Sequence, residues 1–263
     1  MISFPIKAQL VGEMDDESKF YAQSKQVNQF FRRFNAEEDE RGNRYYPGDK
    51  QYQSEKLRKK YFKIVFDESN AGLTRDLKKE FVETVLSKPS ILDFHASSWF
   101  AEVSALFTVN GKDQEIILFM ELEKDHLGYK WVVSRAFAEE FATYFARDTS
   151  QIGRFLHPMS HELDFMNLRR AFANSDSVSQ FTNKKFKPDH LTVLLYETKR
   201  GKLKFKSVTS VKFHFFQIDG WYFELSDFNR PGYNTGWLIS SLVKLKNESE
   251  KKLLMRYLYH ETN

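Results

Sequence analysis

The sequence predicts an α+β protein made of tandem domains, each with helices packed on a curved antiparallel sheet. Three observations carry this. The first hundred residues hold apolar residues at helical spacing, whereas 99–135 holds period-two runs separated by turn signals. An order of helices followed by a strand meander then recurs. Landmarks also repeat ninety residues apart, Gly111 with Gly201 and Trp131 with Trp221, as do Ala101, Val103 and Ala105 with Leu191, Val193 and Leu195. The domain reading is 17–136, 137–245 and a C-terminal helix over 246–263. One large α+β domain with a curved sheet is the competing reading.

The elements follow in order. Val27, Phe30, Phe31 and Phe34 share one helical face. The stretch from Glu37 to Asp49, with Gly42, Asn43, Pro47 and Gly48, is a loop. Leu57, Tyr61, Ile64 and Val65 mark a second helix, widened by Phe62 and Phe66. Thr74 caps a third carrying Leu77, Phe81, Val82 and Val85, which Pro89 stops. Strands are expected over Trp99–Val109, from Glu115 to about Glu123, and from Tyr129 to about Arg135. Asn110-Gly111 forms the first hairpin. Helices are expected over Ala136–Ala146 and Ser160–Ala173, then strands over Leu191–Thr198, Leu203–Ile218 and Trp221–Phe228. Leu253, Leu254, Tyr257 and Leu258 mark the closing helix.

Composition excludes several function classes. The chain has 263 residues, enough for a core that needs no metal or disulfide staple. Its 40 basic and 36 acidic residues give a net charge of +4, too balanced to call for nucleic acid. With no cysteine there is no disulfide framework, thiolate nucleophile or Cys-ligated zinc. No apolar run approaches the ~18–20 residues of a membrane span. The 26 phenylalanines suit either a wide helix–sheet core or an apolar pocket. The opening MISFPIKAQ, Met1 to Gln9, reads as a frayed terminus, or as a signal-peptide remnant behind a misplaced start codon. The compartment is cytoplasmic on the first reading and exported or periplasmic on the second.

Asp219-Gly220 reads as a two-residue hairpin. The register would then set Ile218 against Trp221, Phe216 against Phe223, His214 against Leu225 and Lys212 against Asp227, all on one face. Phe216, Trp221, Phe223 and Leu225 would line a ligand pocket, with Trp237, at the end of the turn-rich loop Asn229 to Trp237, either over its mouth or anchoring the sheet edge. His214 would lie diagonal to Asp227. That pair could act as base and orienting acid, with Lys212 holding developing negative charge. The same residues also read as a cross-strand ion pair, a satisfied histidine and aromatic core.

Weaker signals read structurally. His157 and His161 are four apart, but Pro158 intervenes and Glu162 follows the second, so this is no zinc signature. Lys202, Lys204 and Lys206 suit a solvated strand face that discourages edge pairing. Lys56, Arg58, Lys59 and Lys60 suit the outside of a helix. No motif implies a metal or a cofactor. The expected partner is a small apolar or amphipathic molecule, or another protein.

Helices followed by long curved strands resemble the cone-shaped fold of the nuclear-transport-factor-two-like superfamily. The segments FFRRFNAEEDERGN (Phe30 to Asn43), FLHPMSHELDFMNLRRAF (Phe155 to Phe172) and KFKSVTSVKFHFFQIDGWYFELSDFNRPGYNTGWLISSL (Lys204 to Leu242) resemble a family of uncharacterised Bacteroidetes proteins. The resemblance implies tandem cystatin- or cone-like domains, each a bent sheet around a helix, and brings no activity, since that superfamily hosts isomerases, dehydratases, transport adaptors and plain binding modules. The function expected is a non-catalytic ligand-binding or interaction module. The alternative is a small-molecule isomerase, dehydratase or hydrolase using His214 and Asp227.

Overall fold

The structure, a computed structural model, describes residues 27–39, 41–88, 90–109, 111–126, 128–144, 172, 181–183, 189–231 and 234–261. It is an α+β protein built on one open, antiparallel six-stranded sheet. The strands are β1 Trp99–Val109, β2 Lys112–Asp125, β3 Gly128–Phe137, β4 Leu203–Phe215, β5 Trp221–Phe228 and β6 Gly236–Lys244. Their order across the sheet is β3-β2-β1-β4-β5-β6. The helices are α1 (27–35), α2 Glu55–Tyr61, α3 Arg75–Ser87, α4 Glu139–Thr143, α5 His190–Lys199 and α6 Glu248–Leu258. The readings of Met1–Gln9, of the helix over 160–171, of the Asn110 turn residue and of His157, His161 and Glu162 fall outside the described residues.

The chain divides into two compact units that interleave in sequence. One comprises the described parts of Met1–Val103, Met120–Val132 and Ser210–Asn263; the other comprises those of Ser104–Phe119 and Val133–Thr209. The ninety-residue offset fails at the apolar triplets. Ala101, Val103 and Ala105 lie on a strand, whereas Leu191, Val193 and Leu195 lie on helix α5.

In the first unit, α1 turns the face predicted for it toward the sheet. Phe30, Phe31 and Phe34 are buried, and Phe31 meets Trp99 edge-on at 5.0 Å. α3 starts at the predicted cap, Thr74, whose hydroxyl accepts from the Leu77 N–H at 3.3 Å. Its Phe81 and Val85, one turn apart, are fully buried. α2 ends four residues earlier than the Ile64–Val65 stripe implied. The chain leaves the helix because 65–67 lies along β6: Ile239 N–H donates to Val65 O at 2.8 Å and Asp67 N–H to Ile239 O at 3.0 Å.

The same part of the molecule corrects the reading of the basic run. Lys56, Lys59 and Lys60 are exposed, but Arg58 is only 3% exposed. Its Nε donates to Phe34 O at 3.1 Å, its Nη2 to Ser90 O at 2.5 Å, and its guanidinium lies by the Phe34 and Phe62 rings. The Phe34 carbonyl is at the C-terminal end of α1, where the helix dipole favours a cation. Asn35 completes the clamp by exchanging two 2.8 Å bonds with the Leu92 backbone.

The second unit has its own core of Ala105, Phe107, Ile116, Ala138, Phe141, Leu194 and Leu203. Here 191–198 is helix rather than strand. Asp189 decides it: its carboxylate accepts from the Leu191 N–H at 3.0 Å and the Thr192 hydroxyl at 2.7 Å, an N-cap that starts α5. His190, the first residue of α5, accepts the Ala138 N–H at its Nδ1 at 3.2 Å and stacks on Phe137. Burial holds its pKa below the usual histidine value.

Candidate functional site

The β4–β5 pairing decides where the predicted site residues go. The observed partners are Lys212 with Ser226, Phe213 with Leu225, His214 with Glu224 and Phe215 with Phe223. This is one residue off the predicted register, so every side chain changes its company. The turn explains the slip. A tight two-residue hairpin of the favoured kind needs left-handed backbone at both Asp219 and Gly220. Only Gly220 has it, with φ +73°, although Trp221 N–H still closes the turn onto Ile218 O at 3.0 Å. Just before the turn, Phe216 N–H bonds Ser98 O, and Gln217 exchanges two bonds with the Asp93 backbone, which draws the chain away from β5.

The predicted pocket face is therefore solid. Phe215 and Phe223 stack at 4.7 Å with 5° between their planes. Phe223 also meets Phe34 at 6.1 Å and Phe81 at 5.8 Å, and Trp221 meets Phe81 at 5.3 Å. Phe223 and Leu225 are fully buried, Trp221 nearly so. Phe216 sits beside Tyr222 at 5.0 Å.

The predicted catalytic pair is not formed. Asp227 is exposed and opposite Trp237 on β6. Lys212 lies opposite Ser226, on the His214 side of the sheet. His214 has no exposed surface, and both ring nitrogens are occupied, Nδ1 by the Tyr222 hydroxyl at 2.8 Å and Nε2 by Glu102 at 3.1 Å. Phe100 stacks on the imidazole at 4.8 Å and Tyr259, just past α6, stacks on Phe100. Burial alone would raise the Glu102 pKa. The hydrogen bond and charge of His214, with the charges of Lys212 and His260, outweigh it and hold the carboxyl below its usual value. Burial pushes the Tyr222 phenol far above its usual value.

Sequence reasoning missed Glu102 because β1 alternates, and a glutamate between Ala101 and Val103 reads as solvent-facing. The signal that could have found it is His214 itself, since a histidine between Phe213 and Phe215 needs polar partners once buried.

A cleft opens among the described residues of the first unit, with a volume of about 190 Å³. Its walls are Gln29, Phe30 and Arg33 of α1, Ile64 and Val65 after α2, and Thr235 to Leu238 at the head of β6. The Val65–Ile239 backbone bond fixes one wall against another. Of the five residues predicted to bind a ligand, Trp237 is the one that lines this cleft. It is 9% exposed and packs edge-on against Phe213 at 5.0 Å. Its buried indole N–H has no acceptor among the described residues, a loss of about 1–3 kcal/mol while unmet. Arg33 gives its Nε to the buried Glu38 carboxylate at 3.1 Å, which also takes Arg32 Nε at 2.6 Å.

Among the described residues, no three His, Asp or Glu side chains gather as a metal site, and no helix is long and apolar enough to cross a membrane. Comparison with known proteins finds no matching family model, no matching curated protein and no matching solved structure.

Proposed function

We propose that this chain is a non-catalytic binding module whose site is the cleft between α1, the 64–65 segment and the head of β6. The observation that supports this is Trp237: a buried donor without an acceptor, lining the one cleft described above. Small-molecule sites combine apolar walls with convergent polar groups, and this cleft has both kinds of lining in about equal measure. The enzymatic alternative ranks second. It needs His214 to reach a substrate, and His214 is enclosed with both nitrogens engaged. The resemblance to cone-shaped proteins is compatible with a binding module and does not choose its ligand.

A plugged cleft tests the reading. Ile64 is a partly exposed cleft wall, so Ile64→Trp fills the space without disturbing the core. A set of small fragments is scored by thermal shift on wild type and variant. The expected result is stabilisation of wild type by some fragments and its loss in Ile64→Trp. Equal stabilisation of both would place binding elsewhere and sink the proposal.

A further inference from the structure

The chemistry of the cleft is one-sided. No acidic residue lines it. Gln29 and Arg33 lie one helical turn apart on α1 and face the same way. Arg33 spends only its Nε on Glu38, so its two terminal amino groups have no acceptor among the described residues. The Trp237 indole N–H is a further unmet donor. The lining also includes the apolar Phe30, Ile64 and Leu238. The cleft thus offers one net positive charge, an excess of donors and apolar side chains beside them.

We infer that this cleft binds a small monocarboxylate carrying a compact ring or branched aliphatic body, of the size of benzoate. The inference rests on the binding-module reading and names the ligand class of that site. A guanidinium presents parallel N–H groups that match the two oxygens of a carboxylate. Arg32 and Arg33 share the one carboxylate of Glu38, which leaves one net positive charge; that suits a monoanion and is less than phosphate would bring. Size sets the body. An apolar protein cavity of about 150 Å³ accepts benzene, so about 190 Å³ accommodates one six-membered ring with its carboxylate.

The test uses the full chain labelled with ¹⁵N, whose four tryptophans give four indole signals. Trp237→Phe identifies the Trp237 signal by its disappearance. Benzoate, benzamide and inorganic phosphate are then titrated. The expected result is a saturable shift of the Trp237 signal by benzoate, with Kd on the order of 0.1–1 mM. Benzamide, which has the same ring and no charge, is expected to bind at least about tenfold more weakly, and phosphate not to compete. Arg33→Lys should weaken benzoate about fivefold or more. The benzoate-to-benzamide ratio needs no variant, so it stands even where Arg33→Lys loosens the Glu38 contact. Equal binding of benzamide, or phosphate binding as well as benzoate, overturns the carboxylate class and leaves the binding module intact. No saturable change at Trp237 with any of these compounds, nor with any fragment that stabilises the wild type, overturns both.

Discussion

Truncating Phe223 separates a solid core from a ligand pocket on the β5 face. The ring has no exposed surface and touches four others: Phe215 at 4.7 Å, Phe81 at 5.8 Å, Phe34 at 6.1 Å and Phe30 at 6.4 Å. Phe223→Ala removes a benzyl ring from all of them. The transfer part is about 100–150 Å² of apolar area at about 25 cal/mol/Å², or roughly 2.5–4 kcal/mol. The hole left behind adds to this, because the stacked neighbours are held by their own partners and collapse only in part. Large-to-small phenylalanine substitutions in cores cost about 3–5 kcal/mol, and that is the expected loss. Ring–ring terms are not added separately, since neighbouring contacts are not additive. In urea, with a slope of about 2–3 kcal/mol/M, the unfolding midpoint should fall by about 1–2.5 M. Tryptophan fluorescence reads it directly, because Trp221 and Trp99 sit in the same cluster. A loss below about 1 kcal/mol would refute the packing argument, because a ring lining an open pocket is already partly solvated and its removal leaves no new hole.

Other expectations follow from the buried polar groups. Glu102 has a folded-state pKa below its usual value, so its contribution is complete above about pH 4.5 and is lost as pH falls through the folded value. The stability gap between wild type and Glu102→Gln should therefore shrink on acidification below about pH 4.5, as read by denaturation at a series of pH values; a gap constant with pH would count against the ion pair. His190 is held neutral, with its Nδ1 accepting the Ala138 N–H. Its contribution is complete above about pH 6.5 and falls as pH drops below that, so its imidazole signal in NMR should titrate below 6.5. Arg58→Ala strips donors from the Phe34 and Ser90 carbonyls and should cost about 2–4 kcal/mol; a cost within ~0.5 kcal/mol would show that these contacts are replaceable.

The strands that alternate cleanly were legible. Trp99–Val109 and Trp221–Phe228 match to the residue because one face of each packs against aromatic rings and the period survives. β6 was not legible for the opposite reason. Opposite Glu224 and Leu225 the register shifts by one, with Ser240 as the extra residue, so buried Trp237, Leu238 and Ile239 run consecutively and Leu242 follows out of phase. The helix at 190–199 was hidden because Leu191, Val193 and Leu195 also alternate, and only the Asp189 cap separates the two periods. The site was lost through one residue of register. Asp219-Gly220 is a real turn, but tertiary bonds from Phe216 and Gln217 outweigh the local hairpin preference.

These polar residues divide by whether their demands are met. His214, Glu102 and Tyr222 satisfy one another, as Asn35 and Leu92 do, and Arg58 satisfies two carbonyls. Asp67 is saturated in the same way by Arg230 at 2.6 Å and by the Ser69 hydroxyl at 2.7 Å. A group whose partners are all internal specifies the fold, and removing one partner costs stability. Trp237 and the free end of Arg33 differ from all of these, because their donors reach no acceptor within the described chain and both residues line one cleft. Buried donors are nearly always paired in folded proteins, so an unmet one in the wall of a cleft that also carries Arg33 is the exception here. That contrast, rather than the mere presence of a histidine near a carboxylate, is what separates the parts of this molecule that hold its shape from the part proposed as a ligand site.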